Sequence, residues 1–422
     1  MALDPEEMKQ RRQARQQAWQ KRQAQRKRLL IRLGIAGLVV VLCGVLIFVV
    51  SRRGSTGQST VASTGSGDTV SDTAQSAAPP STVIHLAAVG DLNVTQAVVD
   101  SGGTEQDYTN TLLDVAHLLA GADITAVNLE GNLAGAPYGE DRSAPQALAQ
   151  ALAAVGVDLI QLANSYSIYK GMDGLAATVE GVRSAGMEPL GAYANAQEAK
   201  DSKGYTIRTV QGIKIAFVAF TKGMDGMALP AGSAGCVNLL YTDYATDYQK
   251  IDTKGITQIL DAAAKESPDI TVALLHWGSE YNDTISESQQ EICSLLQSKG
   301  VDAIIGTHSH YVQQMVFDEA AGTFVAYSLG DFLGDGQRSG AEYSVVLDLE
   351  ITKDNESGDA RITGYSYTPI FTVTQAEQPL RLLRIREAIA AYEGGYIDRV
   401  STETYEAMKY ALTRIEARIT GE

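Results

Sequence analysis

Ala303-Ile304-Ile305-Gly306-Thr307-His308-Ser309-His310 is a short apolar run that stops on a glycine and then delivers two histidines one residue apart. The run has strand length, and alternate residues of an extended segment face one side, so His308 and His310 are placed to chelate together. Working outward, the same pattern recurs. Val89-Gly90-Asp91 closes Ile84–Val89, Asn128-Leu129-Glu130 closes Ile124–Asn128, and His276-Trp277-Gly278 follows Ile270–Leu275. A lone Gly-Asp after a strand is ordinarily just a turn. An ordered set of polar side chains at strand carboxyl ends is different, because in an α/β sheet those ends converge on one rim. Asp91, Glu130, His276, His308 and His310 are therefore candidate metal ligands and catalytic groups. Carboxylate and imidazole suit one or two borderline divalent ions such as zinc, manganese or iron.

The flanking pattern supports an α/β layer fold. Further strands are predicted at Leu159–Leu162, Ile213–Phe220 and Phe324–Ser328, with Tyr343–Ile351 continuing a β-rich second half. Tyr205–Phe220 reads as a hairpin about Gln211-Gly212, and Val312–Phe317 with Phe324–Ser328 as another. Helical periodicity falls at Pro145–Val155, Leu175–Ala185, Ile256–Lys265 and Ser286–Lys299, and again at Leu380–Ala391 and Thr402–Ile419. The expected exported domain spans residues 83–375, followed by C-terminal helices over 376–422. His85 and His117 lack a strand-end setting and read as structural.

Charge is split along the chain. The 422 residues carry 34 Lys+Arg and 50 Asp+Glu, a net charge of -16. Residues 1–53 hold 12 of the basic residues and three acids, or +9, which leaves -25 for the remainder. The acid excess argues against a nucleic-acid partner. Residues 1–28 form a basic segment, residues 29–50 a candidate transmembrane helix, and residues 51–82 a Ser/Thr/Gly-rich linker. Ten basic residues before the uncharged run and two after it place the N-terminus in the cytoplasm and the main domain outside the cell membrane, as a single-pass protein. The basic segment is suited to anionic lipid. Cys43 falls in the span, and Cys236 and Cys293 are the exported cysteines, whose pairing the sequence leaves open.

The motifs, taken in order, resemble the CapA family, associated with capsule and poly-γ-glutamate synthesis. Its domain is similar to calcineurin-like metallophosphatases, which implies two sheets flanked by helices. The matching stretches are Val89-Gly90-Asp91, Asn128-Leu129-Glu130, Leu190-Gly191-Ala192, His276-Trp277-Gly278-Ser279-Glu280-Tyr281, the run from Gly306 to Gln314, and Tyr327-Ser328-Leu329-Gly330-Asp331-Phe332. The resemblance implies a first metal set of Asp91, Glu130 and His310, and a second of Glu130, His276 and His308. Two departures stand out. Ser165 occupies the position of a ligating asparagine, and Tyr166 that of the histidine that protonates a leaving group. Asp331 replaces an asparagine, and Asn93 stands where metallophosphatases often place a histidine.

Three functions are consistent with this reading. The leading one is a membrane-anchored protein that makes, attaches or processes an anionic envelope polymer alongside other membrane biosynthesis proteins. The second is an extracytoplasmic metal-dependent phosphoesterase or related hydrolase. The third is a non-catalytic binding or scaffold module, suggested by Ser165 and Tyr166. Lys170, Lys222, Trp277 and Glu280 are the candidate substrate-binding residues.

Overall fold

The computed structural model describes residues 81–336, 338–374, 379–395 and 400–421. The expected basic segment, span and nearly all of the linker lie outside these residues, as does the expected boundary at residues 375–376. Among the described residues no helix is long and apolar enough to cross a membrane.

Two sheets form the centre. The first, of eight strands, runs β14-β13-β12-β1-β2-β3-β4, with β11 joined to β1 off that path. Its members are β1 (Ser81–Asn93), β2 (Ile124–Glu130), β3 (Leu159–Gln161), β4 (Glu188–Leu190), β11 (Asp331–Leu333), β12 (Tyr343–Asp354), β13 (Ala360–Val373) and β14 (Arg381–Arg384). The second, of six strands, runs β5-β6-β7-β8-β10-β9. It is built from β5 (Tyr205–Val210), β6 (Ile213–Thr221), β7 (Ile270–His276), β8 (Ala303–Thr307), β9 (Met315–Asp318) and β10 (Thr323–Ala326). β1 to β4 are parallel to one another, and so are β6, β7, β8 and β10.

The strands are nearly continuous apolar runs because both faces of each sheet are covered. Ile84, Leu86 and Ala88 of β1 meet Ile215, Phe217 and Ala219 of β6 and Val272 and Leu274 of β7 in the core between the sheets. The opposite faces pack on helices. Val127 and Leu129 lie against Leu148 and Leu152 of the helix Gln146–Ala154, and against Leu175 and Val179 of Gly171–Ser184. Phe220 and Leu275 lie against Ile256 and Leu260 of Thr253–Ala264 and Ile292 and Leu296 of Glu287–Ser298. The result is the two-sheet α/β arrangement with outer helices expected from the motifs.

The Gln211-Gly212 hairpin is present: Val210 pairs with Ile213, and both turn residues have positive φ, +50° and +85°. The reading of Leu380–Ala391 as one helix is corrected. Its start is β14, because Leu382 and Leu383 bury on opposite faces, which is a period of two and not a helical stripe. The helix begins at Ile385. The last helix, Thr402–Thr420, presents Met408, Ala411, Ile415 and Ile419 to the core between the sheets at helical spacing. Cys236 and Cys293 are both free thiols, buried in different cores on the outer sides of the two sheets.

Candidate metal centre

Parallel strands in each sheet deliver their carboxyl ends to one edge, and the five candidate ligands meet there. On β2 the strand period places Asn128 and Glu130 on the same face as Ile124 and Ala126, towards the second sheet. On β7 it does the same for His276, two residues beyond Leu274. β1 needs a further device. Its register with β2 shifts between Ala88 and Asp91, so the chain gains a residue and Asp91 turns inward. Gly90 makes this possible: a Cβ there would sit 1.7 Å from the carbonyl oxygen of Gly330, whose own bond from Asp91 N is 3.0 Å.

Asp91 Oδ1 accepts from Asn128 Nδ2 at 2.5 Å, and Oδ2 accepts from the backbone N–H of His308 at 2.8 Å. Asn164 holds Asn128 in turn, donating to its Oδ1 at 3.1 Å and to the Leu129 carbonyl at 2.7 Å. On the second sheet, Thr221 donates its hydroxyl to the Gly223 carbonyl at 2.8 Å. Its oxygen therefore accepts from His276 Nδ1, 3.2 Å away, which makes Nε2 the lone-pair nitrogen of that ring. Nε2 lies 3.0 Å from Glu130 Oε1. Two acceptors this close call for a cation between them, a proton or a metal ion.

The idea that His308 and His310 chelate together from an extended segment is corrected. Both have left-handed backbones, at φ +86° and +57°, and their ring centres are 6.3 Å apart. They serve different groups, and these are the two sets that the resemblance implied. Glu130, His276 and His308 form one, and Asp91, Glu130 and His310 the other, with the ligand atoms of each group within 4.8 Å of one another. Glu130 is common to both. His310 Nδ1 is bonded to Asp331 Oδ1 at 2.7 Å, which leaves Nε2 free as its other ring nitrogen. Tyr281 stacks on the His310 ring at 4.7 Å, and the Arg338 guanidinium lies 4.0 Å over Tyr281.

All five groups are buried, and the electrostatics follow from that. Burial, then the neighbouring Glu130, raises the Asp91 carboxyl, and burial raises Glu130 itself. Ser165 lies beside Glu130 and favours its charged form, although no hydrogen bond of ordinary geometry joins them. Burial lowers His276 to about 4 and takes His308 well below its ordinary value. Burial opposes charge on His310 too, but Asp331 and the other carboxylates outweigh it and raise that ring.

Glu130 Oε2 and His308 Nδ1 are buried with no hydrogen-bond partner. Orphaned buried acceptors are costly, at roughly 1–3 kcal/mol each. A divalent cation satisfies both atoms and neutralises the paired carboxylates, so the donor set fits one.

The sequence profile described as bacterial capsule synthesis protein PGA_cap matches residues 85–336, well over half of the chain and all five of these residues. The chain belongs to that capsule synthesis family. It is 27% identical over 193 residues to the capsule biosynthesis protein CapA of Bacillus anthracis, covering 46% of this chain and 44% of that one. It is 24% identical over 206 residues to the PGA biosynthesis protein CapA of Bacillus subtilis, covering 49% and 50%. The chain thus spans about half the length of these curated relatives. Among solved structures it is similar to the calcineurin-like phosphoesterase YfkN from Bacillus subtilis, at 16% identity and a TM-score of 0.44, covering 79% of this chain and 100% of that one.

Within this member of the family the remaining candidates separate. Lys222 sits beside the centre, its Nζ donating to the Gly278 carbonyl at 2.7 Å and lying 4.6 Å over the Tyr248 ring. Glu280 is exposed and acts electrostatically on Glu130. Lys170 is not brought to the centre: it pairs with Asp141. Trp277 is corrected from a substrate-binding to a core residue. It is wholly buried among the outer-helix contacts of the second sheet, stacked on Tyr327, and its Nε1 donates to the Tyr327 carbonyl at 2.8 Å.

Asn164, next to Ser165, braces the centre from behind: its amide nitrogen donates to Asn128 and Leu129, and its Oδ1 accepts from Tyr166 N. Tyr166 is pushed up to about 12 by burial and then by Glu130, which takes the phenol still further from neutral pH. Sequence reasoning missed Arg142 and Thr221. Arg142 lies 4.6 Å over the Tyr166 ring, in a loop with no motif to mark it. Thr221 lies one residue beyond the expected strand Ile213–Phe220 and is the last residue of β6.

Proposed function

We propose that this capsule synthesis protein is anchored by residues 29–50, with residues 1–28 in the cytoplasm, and works outside the cell membrane on an anionic envelope polymer. The residue 51–82 segment is the tether, and the basic segment is placed to meet anionic lipid. Other membrane biosynthesis proteins are the expected partners. In this reading Asp91, Glu130, His276, His308 and His310 hold one or two divalent ions, with manganese, zinc and iron the candidates. When bound, such an ion supplies Lewis-acid polarisation of a phosphoryl or carbonyl oxygen.

The observation that carries the reading is Glu130. It is buried, shared by both ligand groups, and has an oxygen with no hydrogen-bond partner. A metal also answers the charge problem. A remainder at -25 repels a polyanion through its mean field, so attraction must be local.

Asp331 and Thr221 orient His310 and His276, Asn128 and Asn164 hold Asp91, and Lys222 adds positive charge at the rim. The test is metal per chain and poly-γ-glutamate binding for the purified full chain, with and without chelator. A chain that takes up no divalent ion, or that binds polymer equally well with chelator, sinks the reading.

A second reading is favoured by Tyr166. A phenol held far above neutral pH is a poor proton donor to a leaving group. The site then retains ligands by metal coordination and turns nothing over. Polymer binding without chain shortening supports this version, and chain shortening that chelator abolishes supports hydrolysis.

A further inference from the structure

Arg142 is a cation that acts electrostatically on Glu130 and that no ligand motif contains. It lies in the loop after β2, and that loop is firmly built. Asn132 N and Nδ2 each donate to the Arg142 carbonyl at 2.8 Å, and Arg142 N donates to Gly139 O at 2.8 Å. Ser143 Oγ caps the Gly135 carbonyl at 2.6 Å. Its guanidinium is held on two sides. Nη1 donates to Asn93 Oδ1 at 2.7 Å, and the Tyr166 ring lies 4.6 Å from Cζ. Asn93 is the register partner of Glu130 across β1 and β2, so the guanidinium stands at the centre's rim. Tyr166 is itself fixed by an edge-to-face contact with Tyr169 at 5.6 Å.

The charge of Arg142 is not spent within the protein. The neighbouring Asp141 is engaged by Lys170, and among the described residues no carboxylate lies within ion-pair distance of Arg142. Its Nε and Nη2 donate to no group among the described residues. A partly exposed arginine, clamped in position with a free pair of donors beside a metal-ligand cluster, has the form of an oxyanion fork.

We propose that Arg142, clamped by Asn93 and Tyr166, is a substrate-binding residue that takes a terminal carboxylate or phosphoryl oxygen pair next to the Glu130 centre. This rests on the metal-centre reading above and adds the chemical class of the ligand. It also gives Tyr166 a role. Its ring is the platform for the cation, so the position serves anion binding in place of proton donation. No bond is made or broken in this step.

The experiment uses the full chain purified in detergent and loaded with manganese. Binding of orthophosphate and of γ-glutamylglutamate is measured by calorimetry, and metal per chain is measured in parallel. Arg142→Met is expected to weaken oxyanion binding by about tenfold or more. Arg142→Lys, which keeps charge but loses the fork, is expected to fall between. Tyr166→Leu should weaken binding severalfold, while Tyr166→Phe should match the wild type. Metal per chain should be unchanged in all four.

The two probes separate the sources: tighter dipeptide binding marks a carboxylate site, and tighter phosphate binding a phosphoryl site. Equal affinity of Arg142→Met, Arg142→Lys and wild type, at normal metal content, overturns the proposal and leaves the metal centre standing. So does a metal-loaded wild type that binds neither probe. Loss of metal in the wild type would instead remove the centre itself. If Arg142→Met does not fold, the Arg142→Lys and Tyr166→Leu comparison decides.

Discussion

The backbone N–H of His308 donates to Asp91 Oδ2 at 2.8 Å, joining the first sheet to the second across 217 residues of sequence. One carboxylate thus does two things: it is a candidate ligand, and it fixes a left-handed histidine whose φ is +86°. The contact lies among groups that repel one another when no cation is near, since burial and Glu130 both raise the Asp91 carboxyl.

Asp91→Asn keeps an acceptor for His308 and removes one buried carboxylate, but turns an amide nitrogen towards Asn128 Nδ2 and loses that bond. The two effects offset, so the chelated protein should stay within about 1 kcal/mol of the wild type while the stabilisation conferred by metal is abolished. Thermal unfolding with and without chelator reads both effects. A chelated Asp91→Asn protein well below the chelated wild type would show that the carboxylate is mainly structural.

Glu130 belongs to both ligand groups, whereas His276 and His310 each belong to one. Glu130→Gln should therefore lower metal per chain more than His276→Ala or His310→Ala alone. Mass spectrometry of the native protein measures this directly, and equal losses in all three would deny a shared ligand.

Asp331 fixes His310 through Nδ1 at 2.7 Å. Removing such an orienting carboxylate typically costs roughly 10–100-fold in metal affinity, so Asp331→Ala should show a loss of that size. Asp331→Asn retains an oxygen acceptor and should lose far less. A competition titration against a chromogenic chelator distinguishes the two variants.

Gly90 has no room for a side chain, because the Gly330 carbonyl would lie 1.7 Å from its Cβ and backbone cannot step aside. Gly90→Ala is expected to cost about 3 kcal/mol or more and to part β1 from β11. Urea unfolding measures the loss, and an unshifted midpoint would mean that the β1 bulge is not the constraint described.

Trp277 separates packing from binding. Trp277→Phe loses the bond to the Tyr327 carbonyl and part of a fully buried ring, and should destabilise by about 1–3 kcal/mol. Oxyanion affinity at saturating metal should not move. Weakened binding in a stably folded variant would restore Trp277 to the ligand surface.

Much was legible in the residues alone. Apolar runs of strand length, the period of two, and the Gln211-Gly212 turn are local properties, and they led to the α/β layers and to the hairpin. The residue types at the strand ends were equally local, so the same five residues could be named before any strand was placed. Leu382 and Leu383 misled because a short apolar stretch before a helix carries no period of its own, and only pairing with β13 makes it a strand.

What the tertiary structure decided is how the two sheets meet. It brought together the two ligand sets that the resemblance had only implied, and it placed Asp331 on His310. It put Trp277 in a core, Lys170 on Asp141, and Arg142 over Tyr166. These are contacts between segments far apart in the chain, and no spacing within one segment encodes them. The sequence determined which donor atoms each strand delivers to the rim. Only the packing of one sheet on the other determined which of them face each other closely enough to need a cation.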